Sequence, residues 1–257
     1  MRTLFTDLDN TIIYSYKHDI GPDKHGVELY EGRTISFVSE RTRSLLHRAA
    51  ESLSIVPLST RSIEQYNRID LGIGALKWAL VCNGGVLLER GRKNEEWYRE
   101  SLDIARSSGE AMQKAAELLE KDQRRSFELR FIEDLFLFTK CSDGRTVAEE
   151  LADILDPDAV SVHSLGEKVY VVPIGLDKGS ALRRFARYTG QKDLMAAGDS
   201  DFDVPMIREA DIGIVPRDFC ERYGVKGENI FSAPADVLFS EFVLETALQE
   251  AEQAPAG

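Results

Sequence analysis

Two short acidic strings combine residue types and spacings suited to binding a hard cation. Asp7-Leu8-Asp9-Asn10-Thr11 sets two carboxylates two residues apart, and Gly198-Asp199-Ser200-Asp201-Phe202-Asp203 holds three aspartates in a stretch of six residues. Carboxylates about 4 Å apart repel by about 4 kcal/mol per pair at an effective dielectric of 20, so if the two strings meet they need a cation. Oxygen donors with room for water suit Mg²⁺. An EF-hand loop is excluded, because its glycine and glutamate positions are held by Ile12 and His18 in one string and by Val204 and Ala210 in the other. Two further groups belong to the same chemistry. Ser59-Thr60-Arg61 offers a hydroxyl and backbone N–H groups to a phosphoryl oxygen, and Lys178 opens a helix where the dipole disfavours a cation unless an anion lies near. Taken singly, each has an ordinary alternative: an acidic surface loop, a helix N-cap, a solvated lysine.

The surrounding elements place all four groups at element ends. Arg2 to Thr6, Leu53 to Leu58, Trp78 to Cys82, Leu194 to Ala197 and Ile212 to Val215 are apolar strand candidates. Helical patterns alternate with them at Ser39 to Ser52, with Ser39 as N-cap, at Gly179 to Tyr188 and near Val204 to Glu209. This alternation predicts an α/β fold, a doubly wound parallel sheet covered on both faces, whose ligand site lies at the carboxyl ends of the strands. Asp7, Ser59 and Asp199 each follow such a strand. The polar segment from Tyr14 to Ser36, with a hairpin turn at Glu31-Gly32, reads as a flap beside the first strand.

The rhythm changes after the turn Asn83-Gly84-Gly85. A short strand (Val86 to Leu88), a long helix (Ser101 to Lys121), a hairpin (Ser126 to Ile132 and Leu135 to Cys141), a helix (Thr146 to Leu155) and a second hairpin (Ala159 to Leu165 and Lys168 to Pro173) follow in turn. Helices with antiparallel strands make an α+β module. The expected organisation is a core of residues 1–85 and 174–257 with an inserted cap, residues 86–173. In the first cap hairpin Phe127, Leu129 and Phe131 alternate with Glu128 and Arg130, which predicts an apolar face under the cap helices. The polar face then carries Arg130, Glu128, His163, Lys168 and Tyr170 as candidate substrate contacts.

Composition narrows the partners. The chain has 257 residues, 43% of them hydrophobic, and a net charge of −12, which suits a folded protein that repels nucleic acid and anionic membranes. No secretory signal or membrane span is present, and three scattered cysteines, Cys82, Cys141 and Cys220, form no metal or redox motif; a cytoplasmic location is expected. Gly72-Ile73-Gly74 lacks the third glycine of a dinucleotide fingerprint, and neither a P-loop nor a GxSxG elbow occurs. His163 has no His or Cys partner at ligand spacing.

The order DxDxT, apolar strand ending in Ser/Thr, lone Lys opening a helix, and GDxxxD after another strand resembles the haloacid dehalogenase (HAD) superfamily, and the inserted module resembles its type C2 cap, of the C2B kind found in Cof-like and sucrose-phosphate phosphatases. The resemblance covers essentially the whole chain. It implies a Mg²⁺-dependent phosphatase acting on a small phosphorylated metabolite, a sugar or polyol phosphate. It further implies Asp7 as nucleophile, forming an aspartyl-phosphate, and Asp9 as acid and base. Ser59 would hold the phosphoryl group and Lys178 neutralise it, while Asp7, Asp9 through its carbonyl, Asp199 and Asp203 would hold or support the metal. Thr60, Arg61, Asn83, Arg130 and His163 are the expected substrate contacts. Three positions depart from the family pattern: Phe202 replaces a usual Asn, Asn10 stands where Gly is common, and Ser59-Thr60-Arg61 replaces Thr-Gly-Arg. The alternatives are a phosphomutase on the same scaffold and a HAD-fold binding or regulatory protein with vestigial activity.

Overall fold

The computed structural model describes residues 2–253. They form a larger unit from two segments, one running through Lys93 and the other starting at Lys178, and a smaller unit, Asn94–Asp177. The first segment contains β1 (Thr3–Thr6), β2 (Tyr14–Ser15), β3 (Lys24–Tyr30), β4 (Arg33–Ser39), α1 (Glu40–Ser52), β5 (Ser54–Pro57), the single turn α2 (Ile63–Tyr66), β6 (Trp78–Val81), β7 (Val86–Glu89) and β8 (Arg92–Lys93). The smaller unit contains α3 (Glu95–Ser107), α4 (Gly109–Lys121), β9 (Arg130–Ile132), β10 (Phe136–Lys140), α5 (Gly144–Ile154), β11 (Val160–Leu165) and β12 (Lys168–Pro173). The second segment contains α6 (Lys178–Thr189), β13 (Leu194–Ala197), a 3₁₀ turn at Asp201–Asp203, α7 (Val204–Glu209), β14 (Ile212–Val215), α8 (Phe219–Tyr223), β15 (Ile230–Ser232) and α9 (Phe239–Glu252).

The larger unit is built on a parallel five-stranded sheet in the order β15-β14-β13-β1-β5. All four residues of β1, Thr-Leu-Phe-Thr, are buried, so this central strand is covered on both faces. Its successive side chains point to opposite faces. Leu4 joins Leu45, Leu46 and Ala49 of α1 and Val243, Leu244 and Ala247 of α9. Phe5 meets Phe185 of α6 edge to face, with ring centroids 5.2 Å apart, a contact worth about 0.5–1.5 kcal/mol beyond the area it buries. The start of α1 is set by Ser39, whose Oγ accepts from the Thr42 N–H at 3.0 Å. The flap hairpin turns at Glu31-Gly32 with φ of 49° and 74°, the positive angles of a type I′ turn.

Three expectations are corrected here. Trp78–Val81 is a strand, but it pairs antiparallel with β7 and adjoins the end of β5 through the parallel Leu58–Leu80 bridge. The helix expected over Ser101 to Lys121 is two helices. It breaks at Ser108, which leaves helical angles (φ −102°, ψ 12°) and anchors the break by donating from Oγ to Ala159 O at 2.7 Å. The expected segment boundary at 85/86 lies in the β6–β7 hairpin, and the larger unit continues through β8, which pairs with β7.

The smaller unit is an antiparallel sheet, β11-β12-β10-β9, whose Leu137, Val169 and Val171 pack on Leu119 of α4 and Val147 and Leu151 of α5. Phe131 lies opposite Leu137 on this same face, but as part of edge strand β9 it stays 52% exposed instead of buried. Among the described residues no disulfide joins Cys82, Cys141 or Cys220. Among the described residues no helix is long and apolar enough to cross a membrane.

Candidate active site

β1 lies between β13 and β5, so three adjacent strand ends bring Asp7, Asp199 and Ser59 to one edge of the sheet, the position where open α/β sheets bind ligands. Backbone pairing continues past the strands to fix them: Asp7 N donates to Ala197 O at 2.8 Å, Leu58 N to Thr6 O at 2.8 Å, and Ser59 N to Leu80 O at 2.9 Å. The chain then bends back through Asn10, at φ 59°, a left-handed conformation that Asn tolerates and that explains its presence where Gly is common. Gly84 is required on two counts: its φ is +86°, and a Cβ there would sit 2.2 Å from the Ala181 Cβ of α6.

Lys178, at the first turn of α6, is 1% exposed and joins the two acidic strings. Its Nζ donates to Asp7 Oδ1 at 2.6 Å and to Asp203 Oδ1 at 2.5 Å. Asp203 is fully buried, and its other oxygen accepts from Asp199 N (3.0 Å), Ser200 N (2.9 Å) and Ser200 Oγ (2.8 Å). That saturation sets Asp203 apart from the other acids. It holds the loop and Lys178, while Asp7 and Asp199 keep carboxylate oxygens available to a ligand. Gly198 makes room for this arrangement, since a Cβ on it would lie 2.3 Å from the Asp203 Cγ. Thr11 Oγ1 donates to Asp199 Oδ1 at 3.3 Å, tying the first string to the second.

Carboxylate oxygens of Asp7, Asp199 and Asp203 lie within 4.8 Å of one another. Three carboxylates against one ammonium leave two negative charges, and the electrostatics reflect it. Burial, together with the neighbouring Asp203, Asp199 and Asp9, raises the Asp7 pKa well above the usual carboxylate range despite the Lys178 ion pair. Burial and Asp203 push Asp199 up to about 7. Lys178 is held charged: burial works against the ammonium, but Asp203 and Asp7 outweigh it. The donor set is all oxygen and its excess charge equals that of one divalent cation, so the cluster can bind a metal.

The remaining expected residues fall into three groups. Ser59 is buried, and its Oγ accepts from Arg61 N at 3.3 Å; Thr60 beside it is half-buried. Asn83 is buried at φ 57° and donates its backbone N–H to Ser59 O at 2.9 Å, tying its turn to the Ser59 loop. Arg61 differs from its expected role as a substrate contact, because protein acceptors engage all five of its N–H donors. Nε and Nη2 reach Asp9 at 2.7 Å each, Nη1 and Nη2 reach Glu28 at 2.9 and 3.0 Å, and Nη1 also points to Gln65 O at 3.4 Å. In the smaller unit the register aligns Arg130, Phe138, Tyr170 and His163 in one row on the face opposite the helices. Arg130 pairs there with Glu128 and lies 4.7 Å over the Phe127 ring. Phe202, the departure from the family pattern, is buried.

Glu28 is the site residue that sequence reasoning missed. It lies in β3 at 2% exposure, accepts from Ser36 Oγ at 2.6 Å, and has its pKa lowered: burial acts upward, but the hydrogen bonds from Arg61 and Ser36 prevail. Register shifts on both sides of Glu28 make Val27 and Glu28 consecutive buried residues, so simple alternation cannot reveal an inward carboxylate there.

Residues 92–217 match the family model for haloacid dehalogenase-like hydrolases. No curated protein matches the chain by sequence. Among solved structures it is similar to the sucrose-phosphatase of Synechocystis, determined with sucrose and phosphate, at 15% identity and a TM-score of 0.69, covering 98% of this chain and 99% of that one. It is also similar to a trehalose-6-phosphate phosphatase of Aspergillus fumigatus (15% identity, TM-score 0.53, 98% and 93% covered). A phosphatase of the same superfamily from Bacteroides thetaiotaomicron is similar too (17% identity, TM-score 0.57, 98% and 95% covered). At these identities the likeness is one of fold, and it spans both units. With the family match over residues 92–217 inside it, the chain is similar to the haloacid dehalogenase-like hydrolases.

Proposed function

We propose that this hydrolase is a Mg²⁺-dependent phosphatase that cleaves the phosphate monoester of a small metabolite, a sugar or polyol phosphate. The observation that carries the reading is Asp7: a buried carboxylate at the end of the central strand, paired with Lys178 and set in an acidic cluster with two negative charges in excess. Asp7 attacks phosphorus to give an aspartyl-phosphate. Lys178 and the Ser59 hydroxyl hold the phosphoryl oxygens, and Asp9 first gives a proton to the leaving oxygen and then takes one from the attacking water. Asp7, Asp199 and the Asp9 carbonyl would hold Mg²⁺, with Asp203 as their support; the ion supplies positive charge against the phosphoryl oxygens. A general acid contributes about 10²–10⁴ in rate, far short of the ~10²¹ that the slowest monoester hydrolyses require, so a nucleophile and electrostatic neutralisation are needed beside it.

The sugar-phosphate class is supported by the similarity to the sucrose- and trehalose-phosphate phosphatases and by the polar and aromatic row in the smaller unit. On this reading Arg130 and His163 recognise the leaving group. The test is a phosphate-release screen over sugar and polyol phosphates with Mg²⁺, run beside Asp7→Asn. At least one substrate should turn over, and the variant should lose about 10⁴-fold or more. Turnover that survives the substitution would sink the assignment.

A further inference from the structure

The acid and base carboxylate is held by other residues, and the residue at the end of that chain is Glu28. Asp9 is half-exposed, and both of its oxygens are engaged by one guanidinium, that of Arg61. Arg61 in turn is fixed by the buried Glu28 through two further hydrogen bonds, and Glu28 itself accepts from Ser36 Oγ at 2.6 Å and is ion-paired with Arg68, whose Nε lies 3.3 Å away. We propose that Glu28 is a positioning residue for the acid and base step: by occupying one side of the Arg61 guanidinium it sets the place of Arg61, and through it the place of Asp9. This rests on Asp9 having the acid and base role given above.

The chemistry of the arrangement is directional. A guanidinium facing one carboxylate can rotate or pivot about it, whereas one clamped between two carboxylates has a single plane and a single position. Glu28 engages Nη1 and one Nη2 hydrogen, the side of the guanidinium that does not face Asp9, so the two carboxylates hold Arg61 from two directions. Glu28→Gln keeps the size of the side chain but brings an amide N–H₂ against Arg61 or removes the acceptor from Ser36, so the clamp cannot close as before. Asp9 is then less well placed to deliver its proton to the leaving oxygen. The loss should fall on substrates whose leaving oxygen needs that proton.

The experiment compares p-nitrophenyl phosphate, whose phenolate departs without a proton, with glycerol 2-phosphate, whose alkoxide does not. Both are measured with Mg²⁺ on the full chain, on Glu28→Gln, and on Asp9→Asn and Asp7→Asn as references. The expected result is a kcat loss on glycerol 2-phosphate about 10-fold larger than on p-nitrophenyl phosphate, with KM for the aryl ester unchanged, the same pattern as a weakened Asp9→Asn. Equal losses on both substrates, or none, would overturn the proposal. If Glu28→Gln does not fold, Glu28→Asp, which keeps the charge but withdraws it by one methylene, carries the same comparison. A crystal structure of the variant gives a readout independent of turnover: the Asp9–Arg61 pair should be broken or shifted, and an unchanged pair overturns the proposal even if no substrate is found. Failure of the phosphatase reading shows separately, as turnover that does not depend on Asp7.

Discussion

Lys178 sits between Asp7 and Asp203 with almost no access to water. Removing one member of such a buried set leaves the others uncompensated, which typically destabilises by about 3–5 kcal/mol. Lys178→Met should therefore lower the free energy of unfolding by that amount at pH 8, read from urea titration. A loss under about 1 kcal/mol would show that the two carboxylates relax or hydrate without it. Asp199 gives a pH dependence of definite sign. Burial and Asp203 raise its folded-state pKa from 3.8 to about 7, so its contribution to stability is complete below the unfolded value and is lost as the pH rises through 7. In the presence of a chelator, Tm should fall between pH 5 and pH 8 more steeply than in Asp199→Asn, and Mg²⁺ should restore more at pH 8 than at pH 5. Parallel profiles for the two proteins would contradict this. At this scale Asp7, Asp9, Ser59, Lys178 and Asp199 are legible in the sequence because each lies next to an apolar strand or opens an amphipathic helix. Glu28 is not, because the irregular register of β3 hides which way it points. Arg61 is legible as a charged residue near the site, but its partners are set by a flap folded back from a distant part of the chain.

The elements that carry these residues are held by a few close approaches. The turn before β7 packs Gly84 onto Ala181 of α6, three residues past Lys178. Gly84→Ala should destabilise the protein by well over the ~1 kcal/mol ordinarily associated with a glycine replacement, because both the φ of +86° and the 2.2 Å approach oppose a methyl group. It should also displace α6 and so reduce turnover; an unchanged Tm would refute the packing argument. Strand and helix periodicity made most elements readable, and the exceptions have physical causes. The Ser101 to Lys121 stretch keeps a helical pattern across a break that depends on a tertiary bond from Ser108 to Ala159, a contact no local window contains. β6 is as apolar as the sheet strands, and its antiparallel partner follows from the short turn at Asn83-Gly84, not from its own composition.

Across the whole molecule, the smaller unit has a core of its own, formed by α4, α5 and the four-stranded sheet. Residues 94–177 expressed alone should fold, as an independent core permits, with helical far-UV dichroism and a cooperative thermal transition. A random-coil spectrum would show that the unit depends on the rest of the chain. The net charge of −12 repels a long polyanion more than a small phosphate ester, which meets only the local field of the site. Arg61 is fully engaged by Asp9, Glu28 and the Gln65 carbonyl, so within the acidic cluster Lys178 and a bound cation have to supply the attraction for an anion.

The loop from Gly198 to Asp203 carries one more implication. Asp203 already grips the Asp199 and Ser200 amides from beneath, in a gap that only a glycine at 198 leaves open. The loop's shape thus rests on hydrogen bonds made within the chain, and binding of a cation there should proceed without a disorder-to-order transition. Deuterium uptake at these two amides in the ion-free protein should accordingly be as slow as in the neighbouring strand β13.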